Sequence, residues 1–383
     1  MLNILGPNDP ALNALQQMLT AHPEWNTTLT IIPWAEYRDT LMAALTAETA
    51  PYQAVAVPGH LWVPELADAG YLTAIDSLAD GVAAEVLAAY QPDDILPSVA
   101  HECRFAGQQW MIPLFSDGHI VFYRKDLVDI PAGDGVPLVS PTEMRALAQK
   151  AHHPPEIFGL ALKAHPSEIF LDWLPYLWAF GGEILDAAGE PAFAGDAGVS
   201  ALEYYCSLRE FCSPQTHTFG NDEIAAVIKR GEAAIVTTWG GQAAAIVRAE
   251  DNRFAEKYDY ATFPRPWNAT WGIAIPQNQP LSVRQNMLTV LLRATGGEQD
   301  RLVTEIAGSP VRKSSYVPDA LARYPWLSAQ LEMLHRTDTL PIAPQTGAYL
   351  GDLYQAVYAA FTGEMSPAEA LQKAADAVRA VLR

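Results

Sequence analysis

Apolar positions along the first sixty residues alternate between two periods. Residues 2–5, 29–32 and 54–57 are short, β-rich apolar runs. Between the first two, Asp9 is placed to cap a helix with Pro10 at its first position, running to about residue 21. Residues 36–47 carry Tyr37, Leu41, Ala44 and Leu45 at helical spacing. Strand, helix, strand, helix, strand predicts a parallel sheet with right-handed crossovers. Ligands bind outside the carboxyl ends of such strands. The segments that follow the three runs are Gly6-Pro7-Asn8-Asp9, Pro33-Trp34-Ala35-Glu36-Tyr37 and Pro58-Gly59-His60-Leu61-Trp62. Read as loops, they bring Asn8, Glu36, Tyr37, His60 and Trp62 to one edge.

The pattern continues in a second block. Residues 110–114 are extended, Phe115-Ser116-Asp117-Gly118 reads as a turn, and 119–124 is a strand. Ser140-Pro141-Thr142-Glu143 has the form of a capping box opening a helix to about residue 151. A strand is predicted at 158–162 and an aromatic-rich helix at 168–180, closed by Gly181-Gly182. Helices follow at 199–211 and 223–230, then a strand at 233–237. Residues 258–263 and 271–275 are extended, with a loop at 264–270. The remainder is helical apart from 308–318 and 340–347, and Ser366-Pro367-Ala368-Glu369 caps the last helix.

Onto this frame the chain places ten tryptophans. Trp34, Trp62, Trp239 and Trp271 fall where elements begin or stop rather than inside a periodic apolar stripe. Indole faces beside carboxylates and amides suit a ligand with C–H patches and many hydroxyls, which points to a carbohydrate. Lys and Arg number 24 and Asp and Glu 44, a net charge of −20. That balance argues against nucleic acid and against an anionic membrane surface. No apolar run reaches the ~18 residues of a membrane span. Cys103, Cys206 and Cys212 form no close pair, which argues against a disulfide framework or a zinc site. No nucleophile elbow, zinc-protease, dinucleotide or P-loop motif is present. His152-His153 has the wrong spacing for one metal, and Tyr204-Tyr205 sits in a helical stretch. Neither a metal nor a cofactor is expected.

Several segments resemble, in order and spacing, the extracellular solute-binding proteins of ABC importers, in particular the sugar-binding cluster that includes maltodextrin binders. They are Val55-Ala56-Val57-Pro58-Gly59, Pro113-Leu114-Phe115-Ser116-Asp117-Gly118 and Val121-Phe122-Tyr123-Arg124-Lys125-Asp126-Leu127. Leu174-Pro175-Tyr176-Leu177-Trp178 with Gly181-Gly182-Glu183-Ile184 is the most specific. Gly231-Glu232-Ala233-Ala234 through Trp239-Gly240, Trp271-Gly272-Ile273-Ala274-Ile275-Pro276 and residues 356–382 complete the set. One departure is Trp267-Asn268-Ala269-Thr270, where related chains often carry glycines.

The resemblance implies an α/β fold of two lobes, each a mostly parallel sheet flanked by helices, with the ligand cleft between them and closure by hinge rotation. It implies lobes at 1–114 plus 271–316 and at 115–270 plus 317–383, with crossovers near 113–118, 264–272 and 310–320. It further implies a non-enzymatic, monomeric receptor that delivers a mono- to oligosaccharide to a membrane permease. The location would be periplasmic or lipid-anchored, with a signal sequence absent from Met1-Leu2-Asn3-Ile4-Leu5. The candidate ligand residues are Asp117 at the lobe crossing, Trp239 with an exposed Gly240 amide, Trp271 with Gly272, and Trp178. His60, Trp62, Tyr37, Glu36 and Asn8 join them by position, Arg312 as a fork for two hydroxyls, and Tyr349. Two alternatives stay open: the same fold binding a polyamine or a glycerol phosphate, and a glycoside hydrolase with two facing carboxylates.

Overall fold

Among the described residues, ten strands are laid down in chain order. They are β1 (Leu2–Pro7), β2 (Thr27–Ile32), β3 (Ala54–Pro58), the short pair β4 (Arg104–Phe105) and β5 (Gln108–Gln109), β6 (Met111–Arg124), β7 (Phe158–Ala161), β8 (Ala233–Trp239), β9 (Tyr258–Ala261) and β10 (Asn268–Ala274). The computed structural model describes residues 1–131 and 135–383, and of His60 the backbone alone. The chain divides into two units. The first contains Met1–Asp117, Ala269–Ala322 and Ile342–Pro344; the second contains Gly118–Asn268, Arg323–Pro341 and Gln345–Arg383.

In the first unit β1 pairs in parallel with β2 from Leu2↔Thr27 to Pro7↔Ile32, and with β3 at Ile4↔Ala54 and Leu5↔Val55. β10 joins β3 antiparallel, with Trp271 opposite Pro58. The helix Pro10–Ala21 starts as its sequence demands: the Asp9 carboxylate accepts the Ala11 N–H at 2.8 Å, and Pro10 takes the first helical position. Ile4, Leu5, Val55 and Val57 of the sheet pack with Leu12, Leu15, Leu41 and Leu291 in the core.

In the second unit β6 runs antiparallel to both β8 and β9, and β7 is parallel to β8. β1, β2 and β3 therefore share a direction with β10 against them, and β7, β8 and β9 share one with β6 against them. The helix Ile169–Ala179 is buried along nearly its whole length, and the C-terminal helices Thr346–Thr362 and Pro367–Leu382 complete this core.

Several local expectations are corrected. Phe115-Ser116-Asp117-Gly118 is not a turn: β6 runs unbroken from Met111 to Arg124. Backbone bonds hold its middle extended, from Ser116 N–H to the Ser309 carbonyl (3.2 Å) and from His119 N–H to the Trp267 carbonyl (3.1 Å). These override the turn preference of Ser-Asp-Gly. The segments after β2 and β3 are not loops, because the helix Trp34–Thr46 begins after the single residue Pro33 and the helix Gly59–Asp68 begins directly after Pro58. β10 begins at Asn268, inside the expected loop. Ser140 makes no capping box; its hydroxyl bonds Thr142 Oγ1, and a 3₁₀ turn precedes the helix Met144–Ala151. Among the described residues no helix is long and apolar enough to cross a membrane, and no group of three or more His, Cys, Asp or Glu side chains could hold a metal ion.

Candidate functional site

The first unit gathers aromatic rings where β2 and β3 end. Because each following helix starts immediately, Trp34 and Trp62 lie in first turns, at the carboxyl edge of the sheet. Their rings are nearly parallel, with centroids 5.8 Å apart and planes 5° apart. Trp271 stands across both at 66–67°, its centroid 5.7 Å from Trp34 and 6.2 Å from Trp62. Phe115 backs Trp271 at 6.0 Å with planes 3° apart. The result is an indole corner, two parallel rings meeting a third edge-on. Trp34 is 51% exposed, against a fully buried Tyr37 in the same helix. An indole that stays in water while its neighbours pack is available to a ligand. Asp117 is half-buried on β6. It lies two residues from Phe115, so strand alternation directs both side chains to one face. A carboxylate on that face can accept hydrogen bonds from hydroxyls, and indole rings can cover C–H surface.

The second unit builds a denser cluster around Trp239, which sits opposite His119 in the ladder. Trp239 is 4% exposed. Its indole N–H donates to Glu168 Oε2 at 2.8 Å, and the wholly buried Lys163 ammonium lies 4.1 Å over its ring. His119 and Trp267 meet it edge-on at 4.8 and 5.3 Å. Lys163 is 3.7 Å from Glu168 Oε2 and donates to Asn221 Oδ1. Asp172, also buried, accepts from Thr237 (2.7 Å) and Tyr205 (2.8 Å). Burial, the larger cause, pushes the Asp172 carboxyl up to about 6 despite these bonds. Burial, helped by Lys163, pushes His119 down to about 3. The histidine is therefore neutral, and its 3.8 Å approach to Asp172 is not an ion pair. An open pocket of about 440 Å³ adjoins the cluster, with Glu168, Asn221, His165, His217 and Tyr358 in its lining.

Other candidates fall into place one by one. Tyr37 is a core residue: its hydroxyl donates to the carbonyls of Ala56 (2.5 Å) and Leu5 (3.3 Å), tying β3 to β1. Arg312 is 1% exposed and donates to the carbonyls of Tyr90 (2.8 Å) and Thr295 (3.1 Å), with Asp94 at 3.6 Å. It holds the first unit together and offers no fork to a ligand. Tyr349 is buried in Thr346–Thr362. Gly240 is buried rather than exposed, and an added Cβ would stand 1.8 Å from Gln330 Oε1. Gly272 lets β10 approach β6, since a Cβ there would stand 2.6 Å from the Ile112 carbonyl. Trp178 is buried with the Arg265 guanidinium 4.8 Å from its ring centroid, and Arg265 in turn bonds Glu183 and Asp338. Glu36 and Asn8 are exposed, while the His60 side chain lies outside what the structure describes. The reading of the sequence did not single out Trp34, Arg38, Lys163, Glu168 or Trp267 as site residues. Trp34 carried a signal, its place directly after Pro33; Lys163 and Glu168 carried none, because the indole they share, Trp239, is distant in sequence.

The chain matches the model of the bacterial extracellular solute-binding protein family over residues 7–281, and it belongs to that family. The mannitol-binding protein of Pseudomonas aeruginosa is 28% identical over 319 residues, spanning 74% of this chain and 72% of that one. An ABC transporter solute-binding protein of Agrobacterium radiobacter, solved with ribitol, aligns with a TM-score of 0.86 at 20% identity, over 99% of this chain and 98% of that one. A maltose-bound T. maritima protein aligns with a TM-score of 0.85 at 18% identity, over 99% of both chains. The fold is that of solute-binding proteins.

Proposed function

We propose that this protein is the substrate-binding component of an ABC importer, working outside the cytoplasm as a monomer, and that it carries a neutral sugar or sugar alcohol to the permease. The observation that carries the ligand class is the indole corner of the first unit, open at Trp34 and walled by Trp271, with Asp117 on the same strand face as Phe115. Stacked indole with few charges suits a polyhydroxylated, uncharged molecule. The cations near the candidate residues are committed elsewhere: Arg38 to Glu65, Arg265 to Glu183 and Asp338, and Arg312 to buried carbonyls. A glycerol phosphate therefore finds no uncommitted partner among them. The mannitol-binding relative points the same way.

The test is a thermal-shift screen with D-mannitol, ribitol, maltose, spermidine and glycerol 3-phosphate, followed by calorimetry at low and high salt. A ligand bound only by the folded state raises the melting temperature. A sugar or polyol hit whose affinity barely changes with salt supports the reading. A hit restricted to spermidine, weakened tenfold or more by salt, overturns it. Product release from maltose would instead favour a hydrolase.

A further inference from the structure

We propose that Arg38 is a positioning residue that holds Trp62 in its parallel stack with Trp34, and so sets the shape of the indole corner; the effect on ligand affinity rests on the reading of that corner as the sugar platform. Trp34 and Arg38 are four residues apart in the helix Trp34–Thr46 and share one face. Trp62 and Glu65 are three apart in the helix Gly59–Asp68 and share another. The two faces interlock as alternating rungs. Trp34 lies parallel to Trp62, the Arg38 guanidinium carbon stands 4.7 Å from the Trp62 ring centroid, and one terminal nitrogen of Arg38 donates to both Glu65 oxygens at 2.7 Å.

The arrangement is not what an ion pair alone would select. Arg38 and Glu65 are each about one-third exposed, at 34%, and such pairs contribute little to stability. The other terminal nitrogen, Nη1, is buried without a hydrogen-bond partner. An arginine seeking only its carboxylate would turn both nitrogens to the acceptor or to water. Here the guanidinium gives up a hydrogen bond to stay on the indole, where the ring quadrupole attracts the cation. Glu65 anchors the guanidinium from the far side, in the same helix as the ring it covers. Without Arg38, Trp62 loses this cover, and the rings left around it are Trp34, which is half in water, Trp271 edge-on and Tyr37.

The experiment compares the full chain with R38A and W34A. The readouts are the indole N–H resonance of Trp62, assigned by its disappearance in W62F, and calorimetry with D-mannitol and maltose. We expect R38A to displace the Trp62 resonance and leave resonances of indoles outside the corner and the urea midpoint unchanged. Whichever of the two probes binds should weaken about two- to fivefold. A Trp62 resonance identical in R38A and the parent would overturn the proposal whether or not a probe binds. A displaced resonance in R38A, with probe affinity unchanged in both variants, would keep the brace and reject the corner as the sugar platform. A weaker W34A beside an R38A that matches the parent in both readouts would keep the platform and reject the brace.

Discussion

Lys163→Met tests whether Trp239 is held by charge or by packing. The lysine is wholly buried. Its ammonium lies over the Trp239 ring, 3.7 Å from Glu168 Oε2, and donates to Asn221 Oδ1. Methionine fills nearly the same volume, and a thioether against an indole is favourable by about 0.3–1.5 kcal/mol, so a cavity contributes little. What is lost is the counter-charge of Glu168, whose side chain is only 19% exposed. Breaking a buried pair from one side costs about 3–5 kcal/mol. Glu168 keeps the Trp239 N–H at 2.8 Å and some water, so the expected loss is about 2–3 kcal/mol. A second consequence concerns His119. Burial is the larger cause of its depression and Lys163 the next, so removing the ammonium moves it part of the way back toward 6.5. The urea midpoint measures the first effect and an imidazole NMR titration the second. Adding E168Q to K163M removes the stranded charge and keeps an acceptor for the indole, so it should restore most of the stability. K163M as stable as the parent, or a double variant as unstable as K163M, would refute the reasoning.

Three further outcomes are expected. Trp34→Ala and Trp271→Ala should each weaken binding of D-mannitol or maltose by about 1–3 kcal/mol in calorimetry; unchanged affinity with a lowered melting temperature would make them packing residues. Arg312→Met should cost about 3–5 kcal/mol in urea unfolding, because Asp94 and the carbonyls it serves lose their buried partner, while the folded variant keeps the parent's affinity for the same probes. His119 falls from 6.5 to about 3 on folding, so its contribution is full above 6.5 and is lost as pH falls toward 3; Asp172 rises from 3.8 to about 6, so its burial costs stability above 6 and is relieved as pH falls toward 4. H119Q removes the first effect only, so its melting temperature should rise relative to the parent's between about pH 7 and about pH 4, and a constant difference would contradict this.

The legible parts of the fold were those written in local sequence. Asp9-Pro10 states its own helix start, and the bond from Asp9 to Ala11 spans two residues. The last helix likewise carries its capping box in Ser366 and Glu369. The order of strands and helices up to residue 58 follows from such signals. Asp117 was misplaced because Ser-Asp-Gly has turn chemistry, and what straightens it arrives from Ser309 and Trp267, which no window around residue 117 contains. Arg312 was misjudged for the same reason. Its principal acceptor is the carbonyl of Tyr90, 222 positions earlier. A cation near an expected crossing looks like a ligand fork until that carbonyl is seen.

The tryptophans make the argument sharpest, because sequence position gave them one role and the structure gives them two. Trp34 follows a strand and Trp239 ends one, so both fall at the edge of an element, and Trp239 alone of the two reads as a platform. Around Trp34 the neighbours are rings, which pack against it but leave it half in water. Around Trp239 the neighbours include charges as well as the rings of His119 and Trp267. Lys163, 76 positions earlier by the numbering, occupies the ring, and Glu168 takes the indole N–H across 71 positions. An indole whose ring and donor are already engaged can help a ligand only by shaping the wall around it. An indole that its neighbours leave half in water can take a C–H face directly. The two residues are therefore separable by one comparison. Trp34→Ala should lose affinity and keep its urea midpoint. Trp239→Ala should lower the midpoint, since it strips Lys163 and Glu168 of a shared partner, and any loss of affinity should follow from that. Equal losses of affinity with equal midpoints would show that burial in this structure does not decide which indole meets the ligand.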